Sequence, residues 1–145
     1  MANHIDKEII KEFQAESKAL IDQMNDLLES CEGGMEKAHE LESYGQRVDR
    51  IMGAAKSLAL LAGPEHMIHK IGDYSAICKA VGYKSSQITD NEQFYDICVA
   101  LLMDGTEVLD QMIDALNEEE PGIKDLFTQT FLERLRWVSA QFGAE

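Results

Sequence analysis

Apolar residues along this chain recur at spacings of three, four and seven, with polar residues filling the gaps. That is the pattern of helices buried along one stripe. From about residue 5 to 31 the stripe is Ile9, Ile10, Phe13, Leu20, Ile21, Met24, Leu27, Leu28 and Cys31. Gly33-Gly34 should stop this helix, because glycine readily takes the left-handed conformation that ends helices. A second helix is predicted over about 36–62, where Leu41, Tyr44, Val48, Ile51, Ala55, Leu58 and Ala62 keep a heptad spacing, the mark of a seam packed in a bundle. Gly63-Pro64 closes it, since a proline disfavours helical geometry in the residue before it.

A third helix is predicted over about 65–81, on Met67, Ile68, Ile71, Tyr74, Cys78 and Val81, with Gly82 as its cap. After a polar loop at 83–89, Thr89-Asp90-Asn91-Glu92 has the form of a capping box. The fourth helix, about 90–117, carries Phe94, Ile97, Cys98, Leu101, Val108, Met112 and Leu116, and Asp104-Gly105 weakens its middle. Pro121 suits the first turn of a fifth helix over about 122–142, which aligns Ile123, Phe127, Phe131, Val138 and Phe142. Short loops between amphipathic helices favour antiparallel neighbours. The expected fold is therefore all-α: an antiparallel four-helix up-down bundle with an additional C-terminal helix, as a single domain over 1–145.

Composition supports this picture and narrows the partners. The chain is 45% hydrophobic, with only two prolines and no run of alternating β-branched residues, as expected of a globular helical protein. Twenty-seven acidic residues against thirteen basic ones give a formal charge of −14. With no cluster of lysine and arginine along the chain, nucleic acid and anionic membranes are not expected partners. The charge fits a solvated, soluble surface and equally fits steering toward a basic patch on a partner. Cys31, Cys78 and Cys98 form no Cys-x-x-Cys pair, which predicts reduced, half-buried thiols. The N-terminus lacks the apolar core of a signal peptide, and the longest apolar run, 58–62, is far too short to span a bilayer. The expected location is the cytoplasm. No pattern in the chain sets an oligomeric state.

The second helix carries the candidate site. With the heptad facing the core, Gln46, Asp49, Gly53, Lys56, Ser57 and Leu60 fall on a different face at spacings of three and four. An exposed glycine inside a helix costs about 1 kcal/mol relative to alanine. Gly53-Ala54 has two readings: a close approach by another helix, or a flat surface where a partner docks, with Leu60 exposed beside it.

The run Arg50-Ile-Met-Gly53-Ala-Ala-Lys56-Ser57-Leu58-Ala59-Leu60-Leu61-Ala62-Gly63 resembles the core motif of histidine-phosphotransfer domains. That motif is His-x-x-Lys-Gly-Ser-Ala, with a further glycine ten positions after the histidine. Lys56, Ala59 and Gly63 match; Ser57 and Leu58 depart from the usual Gly and Ser; Gly53 stands where the histidine belongs. The resemblance extends to the helix order from about residue 5 to 142, since these domains are four-helix bundles and some, such as the one at the start of the chemotaxis kinase CheA, add a fifth helix. A phosphohistidine needs an imidazole nitrogen, and a helix backbone supplies no substitute nucleophile. The resemblance thus implies a non-phosphorylatable module, not an enzyme, that binds a receiver domain or a histidine kinase in a bacterial two-component or chemotaxis-type pathway. The expected partner-binding residues are Gln46, Asp49, Gly53, Ala54, Lys56, Ser57 and Leu60. In the family the lysine offsets the phosphohistidine charge; here Lys56 is either free to meet an acidic pocket or simply a solvated lysine.

Competing chemistries are less well supported. His66 and His69 stand three apart, but no second cluster completes a metal site, so no metal or cofactor is expected. Neither histidine is followed by the small residues that give a receiver domain access. Response-regulator phosphatases of the CheZ kind use an acidic residue and a glutamine four positions later to align water. The chain has Glu42/Gln46, Glu107/Gln111 and Asp125/Gln129, no strong excess over chance. A helical adaptor unrelated to phosphorelay is a further alternative.

Overall fold

The structure, a computed structural model, describes residues 5–117 and Ala140. Four helices carry the architecture: α1 Lys7–Cys31, α2 Leu41–Ala59, α3 Met67–Ser85 and α4 Glu92–Asp114. No strand occurs among the described residues. Apart from Ala140, the fifth helix expected over 122–142 lies outside them.

Each helix begins where a side-chain acceptor reaches a free backbone N–H, with α2 the exception. Asp6 caps α1 by accepting from Glu8 N at 2.8 Å. A 3₁₀ stretch, Met35–Glu40, leads into α2, so the α-helix proper starts later than the apolar pattern predicts. His66 caps α3, its Nδ1 accepting from Ile68 N at 3.0 Å. At α4 the cap is Asn91, which accepts from Phe94 N at 3.1 Å. The capping box expected at Thr89 is corrected accordingly: the helix starts three residues later than Thr89, and the nearer amide side chain takes the role.

Helix ends differ from expectation in two places. Gly33, with φ +74°, stops α1 as predicted. α2 tightens before reaching Gly63-Pro64, through i→i+3 bonds from Leu60 N to Ser57 O and from Leu61 N to Leu58 O. α3 runs past Gly82 to Ser85, so that glycine is interior rather than a cap. α4 continues as helix through Asp104-Gly105 and ends in a 3₁₀ turn, Ala115–Asn117.

The helices pack as a ring, α1 on α2 and α4, and α3 on α2 and α4. Contacts along α1 and α4 run Gln14–Ile113, Lys18–Asp110 and Cys31–Tyr95, which makes them antiparallel. Along α2 and α3 they run Gly45–Tyr83, Asp49–Lys79 and Lys56–Gly72, again antiparallel. The heptad residues Leu41, Tyr44, Val48, Ile51 and Ala55 are all buried, as are the three cysteines, more deeply than half-buried thiols. Ile9 and Ile97 of the expected stripes stay exposed.

α2 and α3 form the closest pair, through mirrored dipeptides. A Cβ at Gly82 would sit 2.8 Å from Cδ1 of Tyr44, and one at Gly45 would sit 2.9 Å from Cε1 of Tyr83. Each helix thus sets an aromatic ring over the other's glycine. The Tyr44 ring is fully buried, and its hydroxyl lies 2.9 Å from Thr106 Oγ1. Because Thr106 donates its own proton to Leu102 O at 2.7 Å, Tyr44 is the donor in that pair.

Candidate functional site

The heptad turns one side of α2 inward and leaves the opposite side as an open strip. Gln46, Gly53, Lys56 and Ser57 are exposed on it, and Leu60 is 87% exposed at its C-terminal end. Leu61 beside it is 52% exposed. A Cβ built on Gly53 meets nothing within 4 Å. The close-packing reading of Gly53 is therefore corrected: among the described residues no helix approaches it, and the close approaches fall at Gly45 and Gly82.

The other two expected residues sit at the strip's edges. Asp49 is partly buried and pairs with Lys79 of α3 at 2.9 Å; that hydrogen bond holds the Lys79 ammonium above its ordinary pKa. Ala54 turns toward α1 and lines a groove of about 340 Å³ between α1 and α2. Buried Phe13, Leu20 and Ile51 contribute to that groove, along with exposed Glu16, Gln23 and Arg50. Lys56 lays its stem toward α3, where its Cγ is 3.4 Å from the place of a Gly72 Cβ. The absence of a side chain at Gly72 leaves room for this.

The structure adds two residues to the strip, Arg50 and Leu61. Arg50 is exposed and stands three residues before Gly53 as Lys56 stands three after it. In the sequence, that symmetrical spacing was the available signal. Leu61 was legible only as part of an apolar run.

Elsewhere the potential chemistry is occupied by structural tasks. His66 Nδ1 accepts a backbone proton, so it is unprotonated, and burial together with nearby His69 lowers the pKa of this ring. His69 Nε2 lies 3.0 Å from Gly63 O and carries the proton there. Among the described residues no group of three or more His, Cys, Asp or Glu is placed to hold a metal. Cys78 is pushed up to about 12 by burial, which keeps it a thiol and a poor nucleophile. Glu42/Gln46 and Glu107/Gln111 are exposed pairs on α2 and α4, so exposure alone does not separate them; Asp125/Gln129 lies outside the described residues. No helix among the described residues is long and apolar enough to cross a membrane.

Comparison of the chain with protein-family models, with curated proteins and with solved structures found no match.

Proposed function

We propose that this protein is a non-phosphorylatable, histidine-phosphotransfer-like module, without catalytic activity of its own, that docks a receiver or histidine kinase domain through the outer face of α2. The observation that carries the reading is the pairing of a bare, open Gly53 with Leu60, 87% exposed two turns along the same strip. Burying a leucine side chain is worth about 1.5–3 kcal/mol, and this fold leaves that gain unused. Gln46, Asp49, Lys56 and Ser57 give the strip a polar surround, the arrangement of an interface anchor with its rim.

Restoring the missing group tests the reading. Gly53→His, presented to a panel of phosphorylated receiver domains, should acquire acid-labile label, while the unaltered chain acquires none. Absence of label from every receiver, with an authentic phosphotransfer domain labelled in parallel, would overturn it. Leu60→Ser should weaken receiver binding while leaving stability within about 0.5 kcal/mol.

A phosphatase reading rests on Glu42 and Gln46, both exposed and stacked four residues apart on this strip. Gln46→Ala separates the two: as a rim residue of a docking surface it should change binding little, whereas a phosphatase using that amide loses its effect on receiver dephosphorylation.

A further inference from the structure

The excess negative charge is not spread evenly over the bundle. α4 carries six acidic residues and no lysine or arginine. α1 carries six acidic residues against three lysines. In α2 two acids face three cations, and in α3 a single acid faces three lysines. Because α1 packs on α4 and α2 on α3, the four described helices divide into an acidic half and a weakly basic half. Lys18 is drawn into the acidic half, bridging Asp110 at 2.8 Å and Asp114 at 3.7 Å.

On the α2 strip the balance is sharper. Asp49 is the one acid between Glu42 and Glu65, and Lys79 already engages it at 2.9 Å. Arg50 and Lys56 form no ion pair among the described residues, although Arg50 shares the α1 groove with Glu16. At 100° per residue they lie on opposite shoulders of Gly53, about 9 Å apart along the axis. The glycine between them is a gap with nothing within 4 Å.

We infer that the α2 strip receives an acidic protein surface, with carboxylates seated between Arg50 and Lys56 over Gly53, and that the acidic α1–α4 half excludes the same partner from the rest of the bundle. This rests on the docking reading of α2 for its biological setting and specifies the chemistry of the partner. A two-cation gap suits a compact carboxylate cluster. A nucleic acid gains affinity from many phosphate contacts in a row; beside Gly53 the strip offers it Arg50 and Lys56, on a chain of charge −14. Like-charge rejection on one side and attraction on the other set orientation and encounter rate more than affinity.

The test is an amide-resolved NMR titration of the full chain with three probes: a hexaglutamate peptide, a hexalysine peptide and a short single-stranded oligodeoxynucleotide. Hexaglutamate should shift amides within 46–60 and hexalysine those of α1 and α4, both responses collapsing at about 0.3 M salt. The double reversal Arg50→Glu/Lys56→Glu should abolish the hexaglutamate shifts while circular dichroism stays helical. Hexaglutamate shifts that are absent or map elsewhere would overturn the inference. So would an oligodeoxynucleotide that shifts the same amides as strongly, since the strip would then be a general polyanion site. If Gly53→His is never labelled by receivers but hexaglutamate still maps to α2, the docking reading falls and the acidic-partner inference stands. If Gly53→His is labelled but hexaglutamate does not map to α2, the docking reading stands and the acidic-partner inference falls.

Discussion

Gly45 and Gly53 lie two turns apart on one helix, yet they do opposite things. At Gly45 the side chain is missing because the Tyr83 ring occupies its place, and the reciprocal contact of Tyr44 on Gly82 locks α2 to α3. At Gly53 the side chain is missing and nothing fills the space. Either glycine lowers helix propensity by about 1 kcal/mol. In the first region tertiary packing offsets that cost; in the second no described contact does. The Tyr44-Gly45 end of α2 is thus an interior joint, while the outer face around Gly53, opposite the buried Ile51 and Ala55, is a surface that the fold itself does not use.

Adding one methyl group at either end probes this contrast most directly. Gly82→Ala places a Cβ 2.8 Å from a Tyr44 ring that is fully buried and hydrogen-bonded to Thr106, so the ring has nowhere to yield. Overpacking of this kind should destabilise the bundle by about 1–3 kcal/mol in urea denaturation. A neutral result would mean that the α2–α3 joint is looser than its geometry. Tyr44→Phe keeps the ring on Gly82 and removes the buried hydroxyl that donates to Thr106 and lies beside the Cys78 thiol. It should cost about 1 kcal/mol, less than the glycine substitution, and the same denaturation curves decide the ranking.

Gly53→Ala should act with the opposite sign. With no atom to meet, the added Cβ should stabilise α2 by up to about 1 kcal/mol, read as a rise in the urea midpoint at constant slope. Destabilisation here would show that the position is packed after all.

The smallest expected effect lies just beyond the exposed end of α2, where His66 caps α3. Protonation would occupy the Nδ1 that accepts from Ile68 N. The folded-state pKa of His66 is lowered, by burial first and then by His69. The unfolded chain therefore binds the proton more readily. Its contribution to stability is complete above the ordinary histidine value of about 6.5 and is lost as pH falls from there through the folded pKa. His66→Asn should keep the cap and remove this component of the pH dependence, seen by comparing urea midpoints at neutral and mildly acidic pH.

How much of this was legible in advance varies with the range of the interaction involved. The four helices and the inward face of α2 follow from spacing along one segment, because a helix presents the same face every three or four residues whatever it packs against. From the same periodicity comes the outer strip with Gln46, Asp49, Gly53, Lys56, Ser57 and Leu60, although Ala54 turned out to line the α1 groove. Helix ends were less legible. Asn91 rather than Thr89 caps α4, and α3 runs through Gly82, since those outcomes depend on which acceptor reaches an N–H and on what lies across the helix.

Local pattern alone was enough to set the four described helices, their inward faces and the lack of a nucleophile at position 53. Packing in three dimensions was needed to show that Gly82 is a seat for Tyr44, that Gly53 is open, and that Arg50 and Lys56 stand on the basic half of the four described helices. The reason is that propensity and periodicity are summed over neighbours in the chain, whereas close packing and charge balance are summed over neighbours in space. Pairing α2 with α3 brings together residues that are well separated in sequence.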